Sequence, residues 1–407
     1  MRVRISLHNV WTKIFLLSAF LNAVLKAHPE SDITAFRILL PFYFIIFFAN
    51  RKSSLREFLL LTAVFFVFQG VSIFISDYPI SFVQVVFTGH YLTMIFVFFL
   101  TVDYFKKAPH DLYRFLRLFY TLLIIALTME LVFGFQLPNT NDRGLNAWYW
   151  NQNDASLAVA GFLILALRMG DHRAIWPVHL LAILIIALND SRAALWGVLG
   201  YTTAWYLATI LRRHQWKNPL NRLLISLISI TTISALLMSF SDKVFEAVNQ
   251  LISGIMILFG SGGDNFVTSI GVRSYAALYG IEDFLNSYGF GTGAGNSITM
   301  LAINDYLETS LVRSIHNMPL QMLLELGLPL LMLLIFGLKK HSPLNIFDFI
   351  GLIITYSFIS LTQSGGFLVN YFPLVCFYFC LLMPREGIER SRESRRLPRP
   401  THRQVTG

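Results

Sequence analysis

The residues best suited to chemistry lie directly before a strongly apolar segment of the chain. Arg313, His316 and Asn317 are close neighbours, and the apolar segment follows at once. Histidine has an unperturbed pKa of about 6.5, so its ring can exchange protons at neutral pH. Arginine donates hydrogen bonds in a fork that matches phosphate or carboxylate oxygens. The cluster is typical of proton transfer beside an anion at a membrane surface, although a lone interfacial histidine can also be structural.

Two further arginines stand where a helix could help them to bind an anion. Arg192 follows Asn189, Asp190 and Ser191, three good helix-capping residue types, and begins an apolar segment. Arg273 stands before Ser274, another possible cap. Helix N-termini carry partial positive charge and free N–H groups, so each arginine could join an anion site. The alternatives are a snorkelling interfacial arginine at 192 and a solvated loop charge at 273.

The composition places these residues in a membrane protein. Hydrophobic residues make up 55% of the chain and charged residues only 14%, which no ordinary soluble domain shows. A membrane-crossing helix needs roughly 20 mostly apolar residues. We therefore predict an all-α polytopic integral membrane protein with about twelve spans, the first of them uncleaved. The predicted spans are 11–27, 35–50, 57–77, 81–101, 114–135, 155–169, 174–188, 192–211, 222–240, 317–338, 346–363 and 366–384.

The distribution of basic residues predicts the orientation, because Lys and Arg concentrate in short cytoplasmic loops. They cluster in alternate loops, at Arg2, Arg4, Lys13, Arg51, Lys52, Arg56, Lys106, Lys107, Arg114, Arg117, Arg168, Arg173, Arg212, Arg213, Lys217, Arg222, Lys339 and Lys340, and in the tail from Arg385 to Arg403. Both termini are thus predicted to be cytoplasmic. The net charge of +9 is explained by this pattern and by anionic lipid headgroups, without a nucleic-acid partner.

This orientation puts the candidate residues together on the outer side of the membrane. Arg192, Arg273, Arg313 and His316 all fall there, and of the ten histidines only His28 and His316 do so. A shared face strengthens the case for a common site. It predicts an enzyme that handles an anionic, lipid-linked substrate.

The spans and loops divide the chain into four predicted regions. They are residues 1–240 with nine spans, 241–316 as an outer loop, 317–384 with three spans, and 385–407 as a basic, disordered cytoplasmic tail. The loop is the largest break in hydrophobicity and has room for a substrate-binding element. Residues 242–258 and 274–290 show apolar residues at helical spacing interrupted by charges, which predicts short amphipathic helices at the interface.

A second outer segment, residues 136–154, combines aromatic and amide side chains. Trp148, Trp150, Asn151 and Asn153 are suited to stacking on sugar rings and to hydrogen bonding with their hydroxyls. The alternative is a Trp/Tyr belt at the membrane interface.

No metal or other cofactor is expected. The chain has no HExxH motif and no carboxylate cluster in the outer loops, and Cys376 and Cys380 are read as packing residues in the last span. The glycine-rich run 289–295 is not placed between a strand and a helix, so a dinucleotide site is not predicted. It is expected to be a flexible turn that lets the backbone approach a ligand.

Three motifs resemble the bacterial O-antigen ligase and O-antigen polymerase superfamily of polytopic glycan transferases. They are Asn189-Asp190-Ser191-Arg192-Ala193-Ala194-Leu195 at the start of a span, Gly271-Val272-Arg273 with the stretch that ends at Gly289-Phe290-Gly291-Thr292-Gly293, and Ile315-His316-Asn317 followed by Leu320-Gln321 and Glu325-Leu326-Gly327. The order is also similar, with many spans and one large periplasmic loop late in the chain. The resemblance covers residues 188–340.

The resemblance implies transfer of a glycan from undecaprenyl diphosphate to an acceptor hydroxyl, at the periplasmic face of the bacterial inner membrane, without a nucleotide sugar. Arg192 and Arg273 would stabilise the departing diphosphate, with Arg313 as a secondary contact. His316 would act as general base or orient the hydroxyl, and Asn317 would fix its ring or contact sugar. Glu325 is read as structural, because on a continuous helix it would face away from His316.

The acceptor stays open at this stage. A ligase transfers the glycan to lipid A-core, and a polymerase transfers it to a second lipid-linked glycan. The compact outer cluster and the short chain favour a ligase. A lipid-linked oligosaccharide flippase or transporter is the alternative of another class, although intramembrane ionisable residues are few, at His90, Glu130 and His179. An enzyme would gather Arg192, Arg273 and His316 at a lateral opening, whereas a flippase needs a polar path across the membrane.

Overall fold

The computed structural model describes residues 7–20, 34–50, 52–76, 78–107, 109–134, 144–147, 149, 152–169, 176–212, 269–303, 317–361 and 371–383. These ranges contain thirteen helices and no strand, so the predicted all-α class is confirmed for this part of the chain. The helices are α1 (Leu7–Phe20), α2 (Ala35–Asn50), α3 (Lys52–Ile75), α4 (Phe82–Lys107), α5 (Pro109–Phe133), α6 (Gln152–Met169), α7 (Trp176–Leu188), α8 (Arg192–Arg212), α9 (Ser269–Asn286), α10 (Asn296–Ile303), α11 (Met318–His341), α12 (Ile346–Ile359) and α13 (Tyr371–Leu382).

Four of these helices are long and apolar enough to cross a membrane. The qualifying stretches are Leu55–Ile75 in α3, Phe82–Lys106 in α4, Asp111–Phe133 in α5 and Met318–His341 in α11. Helices α2, α7, α12 and α13 carry shorter apolar stretches. The total of about twelve spans and the large outer loop remain predictions. The predicted span 222–240 lies outside the described residues.

Helices α6 and α13 form the centre of the packing. Every side chain of α6 from Asp154 to Ala166 is buried, as is almost all of α13. Small residues let the two backbones approach closely, since a Cβ added to Gly161 would lie 3.3 Å from Pro373 Cβ. Around this centre, α13 also packs on α4 and α12, while α6 packs on α5, α7 and α8.

The outer helices present apolar side chains to their surroundings. α3 packs on α4 and α11 but exposes Phe66, Val67 and Phe74, and α5 exposes Val132 and Phe133. Large exposed apolar surfaces on long apolar helices are typical of contact with lipid.

Hydrogen bonds between helix ends show which ends lie together. At one end, Arg168 of α6 donates to the Met383 carbonyl just after α13 (3.0 Å), and Ser342, just after α11, donates to Leu381 of α13 (2.5 Å). Helices α6, α11 and α13 therefore finish on one side, which we call the Lys340 face. There Lys340 Nζ lies 2.8 Å from Glu57 Oε1.

The opposite side, which we call the Asn317 face, holds the starts of α6, α11 and α13. The start of α8 lies there too, because Asn189 just before it donates to the Gln152 carbonyl at the start of α6 (3.3 Å). Arg192 and Asn317, two of the candidate residues, therefore lie at the same face of the molecule.

Candidate functional site

Arg192 is the first residue of α8, as the sequence predicted. Its guanidinium holds Asp190, with Nε 3.2 Å from Oδ1 and Nη2 3.3 Å from Oδ2. The side chains of Arg192 and Asp190 are 41% and 58% exposed. An exposed ion pair contributes little stability, so Arg192 can exchange this carboxylate for the oxygens of an incoming anion.

Asn189 connects the start of α8 to the predicted sugar-binding segment. Its buried side chain accepts from Leu145 N (2.8 Å) and donates to Leu145 O (3.0 Å) and to Ser156 Oγ (3.1 Å). The sequence indicated a capping residue here, and nothing local signals the contact across 44 residues. Asn189 thereby fixes the described part of this segment next to Arg192.

Glu130, near the end of α5, holds the same segment from the other side. Its Oε2 accepts from the backbone N–H groups of Asn146 (2.9 Å) and Ala147 (2.7 Å), and Ala147 has a positive φ of 50°. The sequence identified Glu130 only as a sparse intramembrane carboxylate, but it acts here as an anchor for a loop.

The predicted sugar contacts are only partly described. Asn153 lies half-buried in the first turn of α6, at the Asn317 face. Trp148, Trp150 and Asn151 lie outside the described residues. Their neighbours Asn146, Ala147 and Tyr149 are buried, so the segment is packed against the helices on both sides of these three positions.

Arg273 lies in the second turn of α9. This helix begins at Ser269, so the predicted cap at Ser274 is wrong, since Ser274 is inside the helix. The capping pattern misled because the helix extends further upstream than the local sequence indicates. The Arg273 side chain lies outside the described part of the chain, as does the predicted amphipathic stretch 242–258. The other stretch, 274–290, largely coincides with α9.

Asn317 is the N-cap of α11. Its side-chain Oδ1 accepts from Leu320 N at 3.1 Å, and a proline follows within the first two helical positions. His316 and Arg313 lie outside the described residues. α11 begins at Met318, directly after this cap. The expectation that Glu325 faces away from His316 therefore stays a prediction.

A break in α11 organises the region below Asn317. Gly327 has φ 74° and ψ 161°, a conformation open to glycine, and Pro329 follows inside the helix. The break leaves carbonyls without their usual partners. Thr292 N donates to Leu324 O (2.8 Å), Gly293 N donates to Glu325 O (3.1 Å), and Leu328 N donates to Gly289 O (2.9 Å).

The glycine-rich run 289–295 therefore contacts protein where the sequence predicted approach to a ligand. Gly289, Gly291, Gly293 and Gly295 all have positive φ. A Cβ on Gly291 would lie 2.8 Å from Leu324 O, so glycine permits the close approach of this loop to α11. We call residues 289–295 the glycine loop.

Glu325 is fully buried beside the glycine loop and was not among the predicted site residues. Its Oε2 accepts from Tyr91 Oη (2.9 Å), and its Oε1 accepts from Gln321 Nε2 (3.0 Å) and from Ser297 Oγ. The Gly295 N–H also donates to the carboxylate. The Glu325-Leu326-Gly327 motif could have pointed to a buried carboxylate inside a span. The residues that donate hydrogen bonds to it could not have been found from the sequence.

An apolar cavity of about 450 Å³ runs beside α11 from one face to the other. Met318, Pro319 and Ser360 line it near the Asn317 face, and Glu57 and Lys340 line it near the other. The end of α12 also approaches α8, since a Cβ on Gly197 would lie 3.4 Å from Ile359 Cβ. The described residues that line the cavity come from α3, α4, α11, α13 and the second half of α12 with Ser360 after it.

The described residues contain no group of three His, Cys, Asp or Glu side chains that could hold a metal ion. Cys376 and Cys380 are free and buried among apolar neighbours of α13.

Comparison with known families identifies the region that holds these features. Residues 177–335 match a family model described as O-antigen ligase. This region is similar to the O-antigen ligase family and supports the O-antigen ligase and polymerase superfamily. This confirms the resemblance inferred from the three motifs, and the match spans Arg192, Arg273, His316 and Glu325. It does not extend to the segment around Trp148. A search of curated proteins found no match to the chain.

The match to the O-antigen ligase family model indicates the general kind of function. It points to a bacterial membrane enzyme of the glycosyltransferase kind that acts on lipid-linked glycans. The apolar helices long enough to span a membrane agree with this assignment.

Proposed function

We propose that the protein is an O-antigen ligase that transfers a glycan from undecaprenyl diphosphate to a hydroxyl of lipid A-core. The reaction takes place at the periplasmic face of the inner membrane. The observation that carries the proposal is that Arg192 and Asn317, from two of the family motifs, begin helices at the same face of the molecule. A polymerase that uses a second lipid-linked glycan as acceptor has the same donor chemistry and is the alternative.

The leaving group determines what the arginines do. As the acceptor oxygen bonds to the anomeric carbon, the bond from that carbon to the diphosphate oxygen breaks and its electron pair stays with undecaprenyl diphosphate. The negative charge that grows there is stabilised by Arg192 and Arg273, with Arg313 as a secondary contact. Arg192 suits this role because its present partner, Asp190, is exposed and easily replaced.

The attacking hydroxyl needs a group to take its proton. His316 is the proposed general base, one residue before the N-cap of α11. Asn317 caps the helix, which fixes the backbone beside His316. An orienting role for His316 is the alternative, and it predicts a smaller loss of rate on substitution.

The cavity beside α11 supports a lipid-linked donor. Its walls are mostly apolar, and Met318, two residues beyond His316 in the sequence, is one of the residues that line it. Part of a polyprenyl chain could lie in it while the diphosphate stays at the Asn317 face. Burial of apolar chain surface contributes roughly 25 cal/mol per Å².

The proposed orientation follows the basic residues. The Lys340 face carries Arg168, Lys339 and Lys340 and is proposed to be cytoplasmic. The Asn317 face is then periplasmic, both termini are cytoplasmic, and residues 241–316 form the periplasmic loop. The regions 1–240, 317–384 and 385–407 keep their predicted roles as spans and tail.

The segment anchored by Asn189 and Glu130 is proposed to contact sugars. Trp148, Trp150, Asn151 and Asn153 belong to it, and the anchors hold it near Arg192. A sugar bound there could come from the donor glycan or from the acceptor.

The test is transfer by purified protein from a defined undecaprenyl-diphosphate glycan. Lipid A-core and a second lipid-linked glycan are offered separately. Product on lipid A-core supports a ligase, and a lengthened lipid-linked glycan supports a polymerase. The variants are Arg192→Ala, Arg273→Ala and His316→Ala, each expected near background.

Arg114→Ala is the matched control, because this arginine is exposed near the start of α5, away from the proposed site. It should keep wild-type activity. If no transfer occurs under conditions where another family member works, or if the three variants act normally, the enzyme proposal fails. A flippase would then be favoured, and flipping of the same lipid-linked glycan in vesicles would be measured.

A further inference from the structure

The glycine loop is held by four separate parts of the protein. On α3, Gln69 Oε1 accepts from Ala294 N (2.7 Å), and Ser72 Oγ donates to Phe290 O (2.9 Å). On α4, Gln84 Nε2 donates to Asn296 Oδ1 (2.7 Å), just after the loop. The third part is α11, whose Leu324 and Glu325 carbonyls accept hydrogen bonds from the loop. The fourth part is the start of α10. The loop is therefore a junction between membrane helices and the helices of the predicted periplasmic region.

Glu325 is the centre of this junction. Its carboxylate collects donors from α4 (Tyr91), α10 (Ser297), the glycine loop (Gly295) and its own helix (Gln321). Its backbone carbonyl accepts from Gly293 as well. An ionised carboxylate is an acceptor with about four lone-pair sites, which matches this set of donors. A buried carboxylate inside a span is costly unless it is fully hydrogen-bonded.

The glycine loop connects α9 to the first half of α11. α9, which carries Arg273, ends at Asn286, just before the glycine loop. The first half of α11 begins after His316 and ends at Gly327, where the loop is bound. α9 also packs directly on this half-helix, where Ala276 and Leu324 share a small apolar cluster, so the glycine loop adds a polar attachment to this apolar contact.

We infer that Glu325 is a positioning residue, which fixes α9 and Arg273 against the first half of α11 and hence against His316. This inference rests on the proposed function for its catalytic part. A misplacement of about 1 Å can reduce a rate about 100-fold, so loosening this junction should lower the rate of transfer more than the binding of substrate.

The decisive variant is Glu325→Gln. It keeps the size of the side chain but replaces one acceptor oxygen with an amide donor that faces Tyr91 or Ser297. Tyr91→Phe is the milder second variant, because it removes one donor and leaves the carboxylate in place. Tyr120→Phe is the matched control, since Tyr120 is a buried tyrosine of α5 whose hydroxyl hydrogen-bonds to His179 Nδ1 (3.1 Å), away from the glycine loop.

Two measurements are made on the full chain in lipid nanodiscs. The first is the kcat and the donor KM of transfer. The second is the distance distribution between spin labels at Leu285→Cys on α9, an exposed position, and Leu323→Cys on the first half of α11, a half-buried position. The native cysteines are buried, and a sample without added cysteines shows whether they take up label.

The expected result for Glu325→Gln is a broader label distribution and a kcat reduced by about tenfold or more, with the donor KM changed by less than about threefold. Tyr91→Phe should give a smaller change of the same kind, and Tyr120→Phe should match the wild type. Should Glu325→Gln fail to fold, Tyr91→Phe decides by the same two readouts.

The inference is overturned if Glu325→Gln, or Tyr91→Phe in its place, keeps both the wild-type distribution and kcat. It is also overturned if Tyr120→Phe broadens the distribution equally, since the effect would then reflect general loosening of the fold. The distance measurement does not need activity. If the wild type transfers no glycan, the proposed function fails, while a broadened distribution still supports the positioning of α9 by Glu325.

Discussion

Asn189 forms a reciprocal pair of hydrogen bonds with the backbone of Leu145, accepting from its N–H at 2.8 Å and donating to its carbonyl at 3.0 Å. A side-chain amide that binds a backbone in this way replaces a missing strand or helix partner. It satisfies backbone groups in a segment that has no regular structure of its own. The residue three positions before Arg192 therefore holds the described part of the predicted sugar-binding segment in place.

Asn189→Ala should destabilise the protein by about 1–3 kcal/mol, because it leaves the half-buried backbone groups of Leu145 and the buried Ser156 hydroxyl without the Asn189 amide. The measurement is unfolding in detergent or bicelles, followed with the wild type in parallel. Asn345→Ala is the control, since Asn345 is an exposed N-cap at the start of α12 and its loss should cost roughly 1 kcal/mol. Equal losses in the two variants would mean that Asn189 is only another cap.

Gly327→Ala should be among the most damaging single substitutions in the chain. The backbone conformation at Gly327 costs about 1–3 kcal/mol for a residue with a side chain, and an added Cβ would lie 2.8 Å from Phe290 Cα. We expect a strong loss of folded protein, measured by size-exclusion chromatography after extraction.

Gly337→Ala in the same helix provides the comparison. Its nearest neighbour would be Leu61 Cδ2 at 3.8 Å, and alanine is the better helix former in soluble hosts by about 1 kcal/mol. This variant should fold at least as well as the wild type. If Gly327→Ala folds equally well, the break in α11 does not need glycine.

The break in α11 is a feature that the sequence predicted only in part. Apolar periodicity located α11 and its start at Asn317, because both depend on neighbouring residues. The Gly327-Leu328-Pro329 sequence contains a local signal for a break, yet 317–338 was read as one continuous span. The backbone groups that hydrogen-bond to α11 at the break belong to residues 289–293. Pairing over such a separation leaves no mark in the pattern of either segment.

Arg192 and Ser274 show the same contrast for the site. The Asn-Asp-Ser sequence predicted the start of α8 correctly, since an apolar segment follows it immediately. Ser274 failed as a cap because α9 continues upstream of it, and capping residues also occur inside helices. The partners of Glu325 lie on α4 and α10, so this cluster could not be inferred from helical rotation.

Asp190→Asn should lower the KM for the lipid diphosphate donor by about threefold, a change of less than 1 kcal/mol. The substitution removes the carboxylate that competes for Arg192. Asparagine tolerates the positive φ of 50° at this position, so the thermal stability should stay within measurement error. The donor KM is measured at low ionic strength, where a charge effect is largest.

Arg192→Lys serves as the counterpart, because lysine keeps the charge but loses the fork of donors. We expect its kcat/KM to fall by about tenfold or more. A raised donor KM in Asp190→Asn would contradict this account, since it would mean that Asp190 orients Arg192 and does not compete with the donor.

Trp148→Ala and Trp150→Ala should raise the KM of the substrate whose sugar they contact. A tenfold increase corresponds to about 1.4 kcal/mol, a reasonable contribution from one aromatic ring. The measurement varies donor and acceptor concentrations separately. A change confined to the acceptor would assign the anchored segment to acceptor binding, and a change confined to the donor would assign it to the transferred glycan.

Trp11→Ala distinguishes sugar binding from an interfacial belt. Trp11 is a partly buried tryptophan of α1, outside the region proposed for sugars. If Trp148 and Trp150 only anchor the protein at the interface, all three variants should lose stability similarly and keep both KM values. If Trp148 and Trp150 contact sugars, only the variants at these two positions should have an altered KM. Asn189 and Glu130 hold the segment on either side of these tryptophans. Loss of the two tryptophan rings should therefore change sugar binding without moving Arg192.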